Sequence, residues 1–537
     1  MSSTVICEAV DLISAYLMGK YSEEELNQID SEIIDISGET LSRGIEKNDI
    51  SYEDLQQALA TINERTSSRR KKGVYYTPKD VVRYIIVNSE ELQEKTTTFD
   101  LIDVSQNIPT LKRSFLNKTV FDPTSGTGEF LCTTLELKID LLLEAGTPSI
   151  NDVKEVVASV FGNDIDNNSI IVTKLRIVLM VLNRFGVSYI LGLSKTIMGN
   201  YWNVDFVNHS NTINKEFDII VGNPPYVEDS KSQEKPEIRY GNIYANVLTN
   251  SRHLLSDRGV MGYIIPISYI STPRMKKARD EISEAFGTQY LLSFSDRPDC
   301  LFNGVHQKLC ILICAKTGKN TVYTSNYNYW YKEEREFLFK DIQTIENPHC
   351  DNNFIPKLGT RTDVGIYRKI ASNGTPLKEV LENGPVSLYL NMRAAFWIKV
   401  FRLPVSSGEY KRFNIESEEK ANLLYCILNS SLFWWYWIAV SDCWHITNKE
   451  LINFFVPNER DDEKLEELAS SLQKRLEETK VFVGTKQIDY EYKHRLCLPE
   501  IERIDDYVNS LYGLTENESN YIKQFALRYR ISGGASS

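Results

Sequence analysis

No Cys-x-x-Cys pair occurs, although the chain carries nine cysteines. Cys310 and Cys314 stand closest, within an apolar, strand-like run. Reduced core thiols are therefore expected, and no metal site is read. No apolar run reaches the length of a bilayer span, so no membrane segment is expected. The first residues, Met-Ser-Ser-Thr-Val-Ile-Cys-Glu, lack a basic stretch followed by an apolar one. No signal peptide is read there, and a cytoplasmic protein is expected. Basic residues are not in excess: 61 Lys and Arg face 73 Asp and Glu, for a net charge of −12. That balance argues against indiscriminate nucleic-acid binding and leaves room for a local basic groove.

What is present is a packed, aromatic-rich chain. Its 537 residues exceed one ordinary core, so two to four domains are expected. The most informative stretch is Asp218–Tyr226, Asp-Ile-Ile-Val-Gly-Asn-Pro-Pro-Tyr. Ile219 to Val221 read as a short buried strand. Pro224 and Pro225 cannot continue it, because they lack a backbone N–H and fix φ. The chain must leave as a stiff loop presenting the Asn223 amide, the Pro224 carbonyl and the Tyr226 ring. An amide and a carbonyl side by side can accept both hydrogens of an exocyclic amine, and a ring can stack on a flat heterocycle. Adenine pulled from a nucleic-acid stack has both features.

A second signal is Thr119-Val-Phe-Asp-Pro-Thr-Ser-Gly-Thr-Gly-Glu-Phe130. A strand ends at Asp122, Gly126 and Gly128 permit a tight turn, and a helix begins near Glu129. No Gly-Lys-Ser/Thr follows, so this is not a phosphate loop, and the third glycine of the dinucleotide pattern is missing. A small-residue loop (Pro123, Thr124) beside the Asp122 carboxylate suits a cationic, phosphate-free adenosine compound. S-adenosylmethionine is one, with an ammonium to pair with Asp122. Val160–Asp166 ends a further strand in carboxylates: Asp164 is the candidate for ribose hydroxyls, Ile165 for packing on adenine, and Asp166 for a helix cap. Asp205 could accept from the cofactor's amino group, with Phe206 against its ring. Gly73–Pro78 precedes a helix with Thr77 as N-cap and Pro78 as first residue; Tyr76 could line a flat ligand.

Beyond Tyr226, residues 228–241 are polar and read as a mobile loop. Phe302 and His306 are candidates for a second ring against the base. From about residue 319 the texture becomes aromatic and irregular. Arg393, Lys399, Arg402, Lys411, Arg412 and His445 lie among aromatic rings there and are candidate DNA contacts. Arg69–Lys72 could also touch phosphates. Four parts are expected: an N-terminal helical segment 1–70, a catalytic domain 71–318, a target-recognition domain 319–460 and a helical region 461–537.

With these residues in order, the chain resembles the gamma-class N6-adenine DNA methyltransferases, and most of all the methyltransferase half of type IIG-like fused restriction–modification enzymes. The resemblance rests on Gly73–Pro78, Asp122–Gly128, Asp164, Asp205 and Asn223–Tyr226, and it covers residues 70–315 best. The first glycine of the family's loop is absent or displaced, because Pro123-Thr124-Ser125 precede Gly126. The resemblance implies an α/β, Rossmann-like, seven-stranded and mostly parallel sheet with one reversed strand. It implies direct methyl transfer from S-adenosylmethionine to a flipped adenine, with Asn223, Pro224, Pro225 and Tyr226 as the catalytic set. It also implies a prokaryotic, DNA-associated protein of a restriction–modification or phage-defence setting. Double-stranded DNA would be its partner, with a separate restriction nuclease possible. Residues 1–70 hold no Asp…Glu-x-Lys set, so cleavage is not expected. The absence of Pro-Cys disfavours methylation at carbon 5 of cytosine. The alternatives left open are methylation of adenine in RNA, of cytosine at N4, or of a protein glutamine, and a non-catalytic DNA-binding subunit.

Overall fold

The computed structural model describes residues 4–44, 50–63, 76–94, 111–232, 235–340, 342–350, 353–381, 384–404, 408–458, 461–484 and 490–532. The candidate phosphate contacts Arg69–Lys72 lie outside these. At the centre is a nine-stranded sheet. Its strands are β1 Val120–Asp122, β2 Val160–Asn163, β3 Tyr201–Trp202, β4 Phe217–Gly222, β5 Leu255–Pro266, β6 Thr288–Phe294, β7 Leu309–Ala315, β8 Thr321–Asn328 and β9 Thr344–Glu346. They lie in the order β3-β2-β1-β4-β5-β7-β6-β8-β9. Strands β1 to β5 pair parallel, and β7 runs antiparallel between β5 and β6. β1 and β7 are buried along their whole length. Helices cover both faces of a parallel sheet, so its central strands read as unbroken apolar runs.

The order reverses between β1 and β4. At such a switch point the loops leaving adjacent strands depart to opposite faces and leave a crevice at the carboxyl edge. The glycine loop leaves β1 there, and the Asn-Pro-Pro-Tyr loop leaves β4.

Seven strands were expected, with one reversed; β8 and β9 add two more, and β9 is a second reversed strand. Both lie beyond residue 318, where the catalytic domain was expected to end. β8 reads Thr-Val-Tyr-Thr-Ser-Asn-Tyr-Asn, too polar to register as a buried strand. Its backbone satisfies the edge of β6, which would otherwise carry an open row of N–H and C=O groups. Tyr323 stacks on Tyr290 of β6 at 4.7 Å between ring centroids.

Three N-terminal helices, Thr4–Leu17, Glu23–Ser37 and Tyr52–Thr61, share an apolar core with helix Asn167–Phe185. Ser22 and Glu25 close a capping box on the second, and Gly38 ends it at φ 73°. In the C-terminal half, Val386–Asn391 pairs antiparallel with Val400–Phe401 and Tyr410–Ile415. Helices Glu418–Asn429 and Ser431–Val440 meet at 61°. Trp434, Trp435 and Trp437 of the second are fully buried. A single apolar core runs from Phe121 to Ile522, so the two halves are fused through it.

Candidate active site at the carboxyl edge of the sheet

β4 ends where its sequence requires, at Gly222 before the two prolines. A Cβ on Gly222 would stand 2.8 Å from the Asp122 carboxylate, so this position admits no side chain without displacing β1's end. The Asn223 amide donates from Nδ2 to Thr77 Oγ1 at 2.9 Å. That bond fixes which way the amide faces, so Oδ1 is its accepting group. Tyr226 donates from its hydroxyl to the Ile264 carbonyl of β5 at 3.0 Å, and its ring meets Tyr244 edge-on at 6.4 Å. Pro224 is buried, and Asn223, Pro225 and Tyr226 are half-buried. Thr77 is read from sequence as a helix cap; its hydroxyl instead orients Asn223.

The glycine loop is tied on every side. Ser125 N–H donates to the Asn163 carbonyl at 2.8 Å, and Gly126 N–H to Asp164 Oδ2 at 2.7 Å. Gly128 takes φ 86°, and a Cβ there would meet Thr173 at 2.4 Å. Asp122, 1% exposed, accepts from Thr124 N–H at 3.0 Å. Burial pushes its carboxyl well above the usual range, opposed by the Thr124 N–H and reinforced by the nearby Asp164 charge. Pro123 is buried, and its carbonyl accepts from Asn163 at 2.8 Å. Asp164 also accepts Asp166 N–H at 2.8 Å, so this carboxylate shapes the loop as well as facing the crevice. Ile165 is 64% exposed and open to a ligand. Asp166 caps helix Asn167–Phe185 through Asn168 and Ser169. Asp205 caps its own helix through Val207 at 3.0 Å and holds Asn208 at 2.8 Å.

Two ring candidates are corrected. Phe206 is 3% exposed and packs with Phe121, and Phe302 is 1% exposed within the core. Both follow an exposed-looking polar stretch, where local sequence gives no sign of a core above them. His306 is exposed, with Nδ1 within 3.2 Å of the Asp296 carbonyl. The segment read as a mobile loop is fastened at its base: Gly241 N–H donates to Asp229 at 2.6 Å and Ile243 N–H to the Val227 carbonyl at 2.8 Å.

Sequence reading missed a charged network behind the glycine loop. Arg176, 4% exposed, donates to the Thr127 carbonyl at 2.6 Å, Glu129 at 3.0 Å and Gln56 at 3.0 Å. Glu129 in turn accepts from the Tyr76 hydroxyl at 3.2 Å. The glycine loop, Tyr76 and the N-terminal helices are thus joined through one guanidinium. The signal was legible: an arginine inside the apolar run Ile170–Met180 must have buried acceptors.

The DNA candidates divide. Arg393 and His445 form a backbone bridge, and Lys399 lies near them on the same cavity as Arg393. Arg402 pairs with Glu418 at 3.0 Å and Asn422 at 2.6 Å. Arg412 donates to Ser387 at 3.0 Å, and the Lys411 ammonium stands 5.1 Å from the Phe413 ring centroid. These last three belong to or flank the three-stranded sheet.

The strand order, the reversed β7 and the two loops at the switch point define a Rossmann-like methyltransferase fold. Residues 158–299 match the family model of the Eco57I restriction-modification methylase. Over 323 residues the chain is 26% identical to the modification methylase CviBIII of Paramecium bursaria Chlorella virus NC1A, covering 57% of this chain and 64% of that one. Over 126 residues it is 32% identical to a putative type II restriction enzyme and methyltransferase, RM.MjaORFECS2P of Methanocaldococcus jannaschii, covering 22% of this chain and 10% of that one. Among solved structures, the type IIL restriction-modification enzyme MmeI in complex with DNA has the same fold, with TM-score 0.55 at 13% identity, over 98% of this chain and 94% of that one. The similarity to the Eco57I-type restriction-modification methylases lies in residues 158–299. The chain spans less than two thirds of the length of either of these curated relatives.

Proposed function

We propose that this protein transfers a methyl group from S-adenosylmethionine to the N6 amino group of an adenine flipped out of double-stranded DNA, within a restriction–modification setting. The observation that carries the reading is the Asn223–Tyr226 loop, held by Thr77 beside the glycine loop at the switch point between β1 and β4.

The crevice fits the cofactor. Thr124 Oγ1 and Ser125 Oγ are buried in the glycine loop and have no hydrogen-bond partner among the described residues. Two such orphaned hydroxyls suit a polar ligand against the loop. Tyr76, Thr77, Pro78, Asp122, Thr124, Gly126, Gly128, Asp164, Ile165 and Asp205 are the residues that would hold it. S-adenosylmethionine, when bound, supplies an electrophilic methyl group. Asn223 Oδ1 and the Pro224 carbonyl accept the two hydrogens of the target amine and favour a pyramidal nitrogen, whose lone pair is withdrawn from conjugation with the ring. Tyr226, anchored through its hydroxyl, offers its face to the base. Flipping costs roughly a few kcal/mol, which stacking and these bonds offset.

Labelled S-adenosylmethionine incubated with unmodified DNA, RNA or release-factor protein separates the alternatives. N6-methyladenine in DNA is the expected product; N4-methylcytosine, or label in RNA or protein alone, would replace this reading. Asn223→Ala should keep cofactor binding and raise the barrier to methyl transfer by about 2–4 kcal/mol, roughly thirtyfold to several-hundredfold in rate.

A further inference from the structure

A cavity of about 450 Å³ lies between the catalytic sheet and the C-terminal half. One wall comes from Ser295–Arg297 after β6 and from Lys308; the other comes from residues 391–399, Trp444 and residues 492–495. β6 runs parallel to β4, since β4 pairs parallel with β5 and the reversed β7 lies antiparallel to both β5 and β6. The cavity therefore opens at the same carboxyl edge as the Asn-Pro-Pro-Tyr loop. It is displaced by three strand spacings, about 14 Å. It is a separate place from the catalytic loop.

Three properties set its chemistry. First, it is cationic in an acidic protein: seven Lys or Arg side chains line it against two carboxylates, where the whole chain carries −12. Arg297, Lys399 and Arg495 make no ion pair among the described residues. Second, its aromatic rings are fixed before any ligand arrives. Of the two lining tryptophans, Trp397 carries the Arg530 guanidinium 4.1 Å from its centroid, and Arg530 is itself backed by the buried Trp434 at 4.3 Å. The Lys308 ammonium sits 3.4 Å from the Trp444 centroid. Third, the buried Asp296 carboxylate pairs through Oδ1 with Lys308 at 3.1 Å, while Oδ2 has no hydrogen-bond partner among the described residues. A buried carboxylate oxygen without a donor is costly unless a ligand supplies one.

We propose that this cavity is a second nucleotide site, which takes one nucleoside phosphate unit apart from the target base. Trp397 and Trp444 take the base on the faces turned from Arg530 and Lys308, Asp296 accepts an amino or imino hydrogen from it, and Arg297, Lys399 and Arg495 take the phosphate. The volume falls in the range of small-molecule pockets, roughly 300–1,000 Å³. The unit is either a nucleotide of the bound strand or a free mononucleotide. Only the first source rests on the DNA reading above. In that case the unit lies on the order of four base steps from the target, at about 3.4 Å per step.

Tryptophan quenching by AMP, GMP, CMP, TMP, inorganic phosphate and a mixed-sequence single-stranded 20-mer tests this on the full chain. A nucleotide probe should bind saturably, and phosphate alone roughly tenfold or more weakly. Arg495→Ala and Asp296→Asn should each weaken nucleotide binding roughly tenfold. Arg495 is exposed, so its variant should fold. Asp164→Ala and Asn223→Ala, at the catalytic crevice, should leave this binding unchanged. Saturation by a mononucleotide assigns a free nucleotide as sufficient, and saturation by the 20-mer alone assigns the strand. Binding indifferent to Arg495→Ala and Asp296→Asn, or lost in Asn223→Ala, overturns the site. Methyl transfer to DNA without such binding overturns the site and leaves the enzymatic reading; binding without methyl transfer does the reverse.

Discussion

At the scale of the residue, Thr77 and Asn223 show how the site is set. The two are 146 positions apart, and one hydrogen bond of 2.9 Å joins them. Thr77→Val keeps the shape and removes the acceptor. The Asn223 amide can then turn over, which loses about 1–1.5 kcal/mol of alignment, roughly tenfold in rate. Steady-state kinetics should show the loss in kcat; a rise in KM for the cofactor with kcat unchanged would confine Thr77 to holding the cofactor. His494 gives the clearest dependence on pH. Burial first, and the Lys399 charge second, push its imidazole from the usual 6.5 down to about 3. The unfolded chain therefore takes up a proton near pH 6.5 while the folded chain does not. The contribution to stability is fully present above pH 6.5 and falls by about 1.4 kcal/mol per pH unit as the pH drops towards 3. Thermal unfolding of His494→Gln across this window should show a flatter acid limb than the parent chain. Parallel limbs would assign the acid sensitivity elsewhere.

At the scale of the element, the glycine loop is legible in sequence as a turn, and its bracing is not. Gly126 and Gly128 announce positive φ, because a Cβ is disfavoured in that backbone region. They do not announce that Thr173, on another helix, closes over Gly128. Gly128→Ala therefore combines a disfavoured φ with a contact of 2.4 Å, and should cost about 2–4 kcal/mol. Chemical denaturation should report this loss, and calorimetry should report weaker S-adenosylmethionine binding. An unchanged midpoint would mean that Thr173 moves aside freely. The acidic strand ends were also readable, since helix caps and ligand groups use the same residue types. Asp164 and Asp205 serve as caps and loop ties in the structure, and sequence pattern alone does not separate that work from ligand binding.

At the scale of the whole molecule, the boundary between the halves is where chain order and tertiary structure diverge. A chain ending at residue 318 keeps both catalytic loops and loses β8. It exposes the backbone edge of β6 and the Tyr290 face that Tyr323 covers. Such a truncation should be recovered mostly as aggregate, and size-exclusion chromatography with thermal unfolding checks it. A monomer that unfolds cooperatively would show that β8 is dispensable to the sheet. The sequence by itself determined the class of fold and the two chemical loops. Proline ends a strand by its missing N–H, glycine permits a turn by its missing Cβ, and both act within a few residues. Only the tertiary structure decided that Thr77 aims Asn223, that Phe302 and Phe206 are core, and that Arg297, Lys399 and Arg495 meet around one cavity. Those facts depend on which distant segments pack together, and burial and charge at a point are sums over neighbours that chain order does not list.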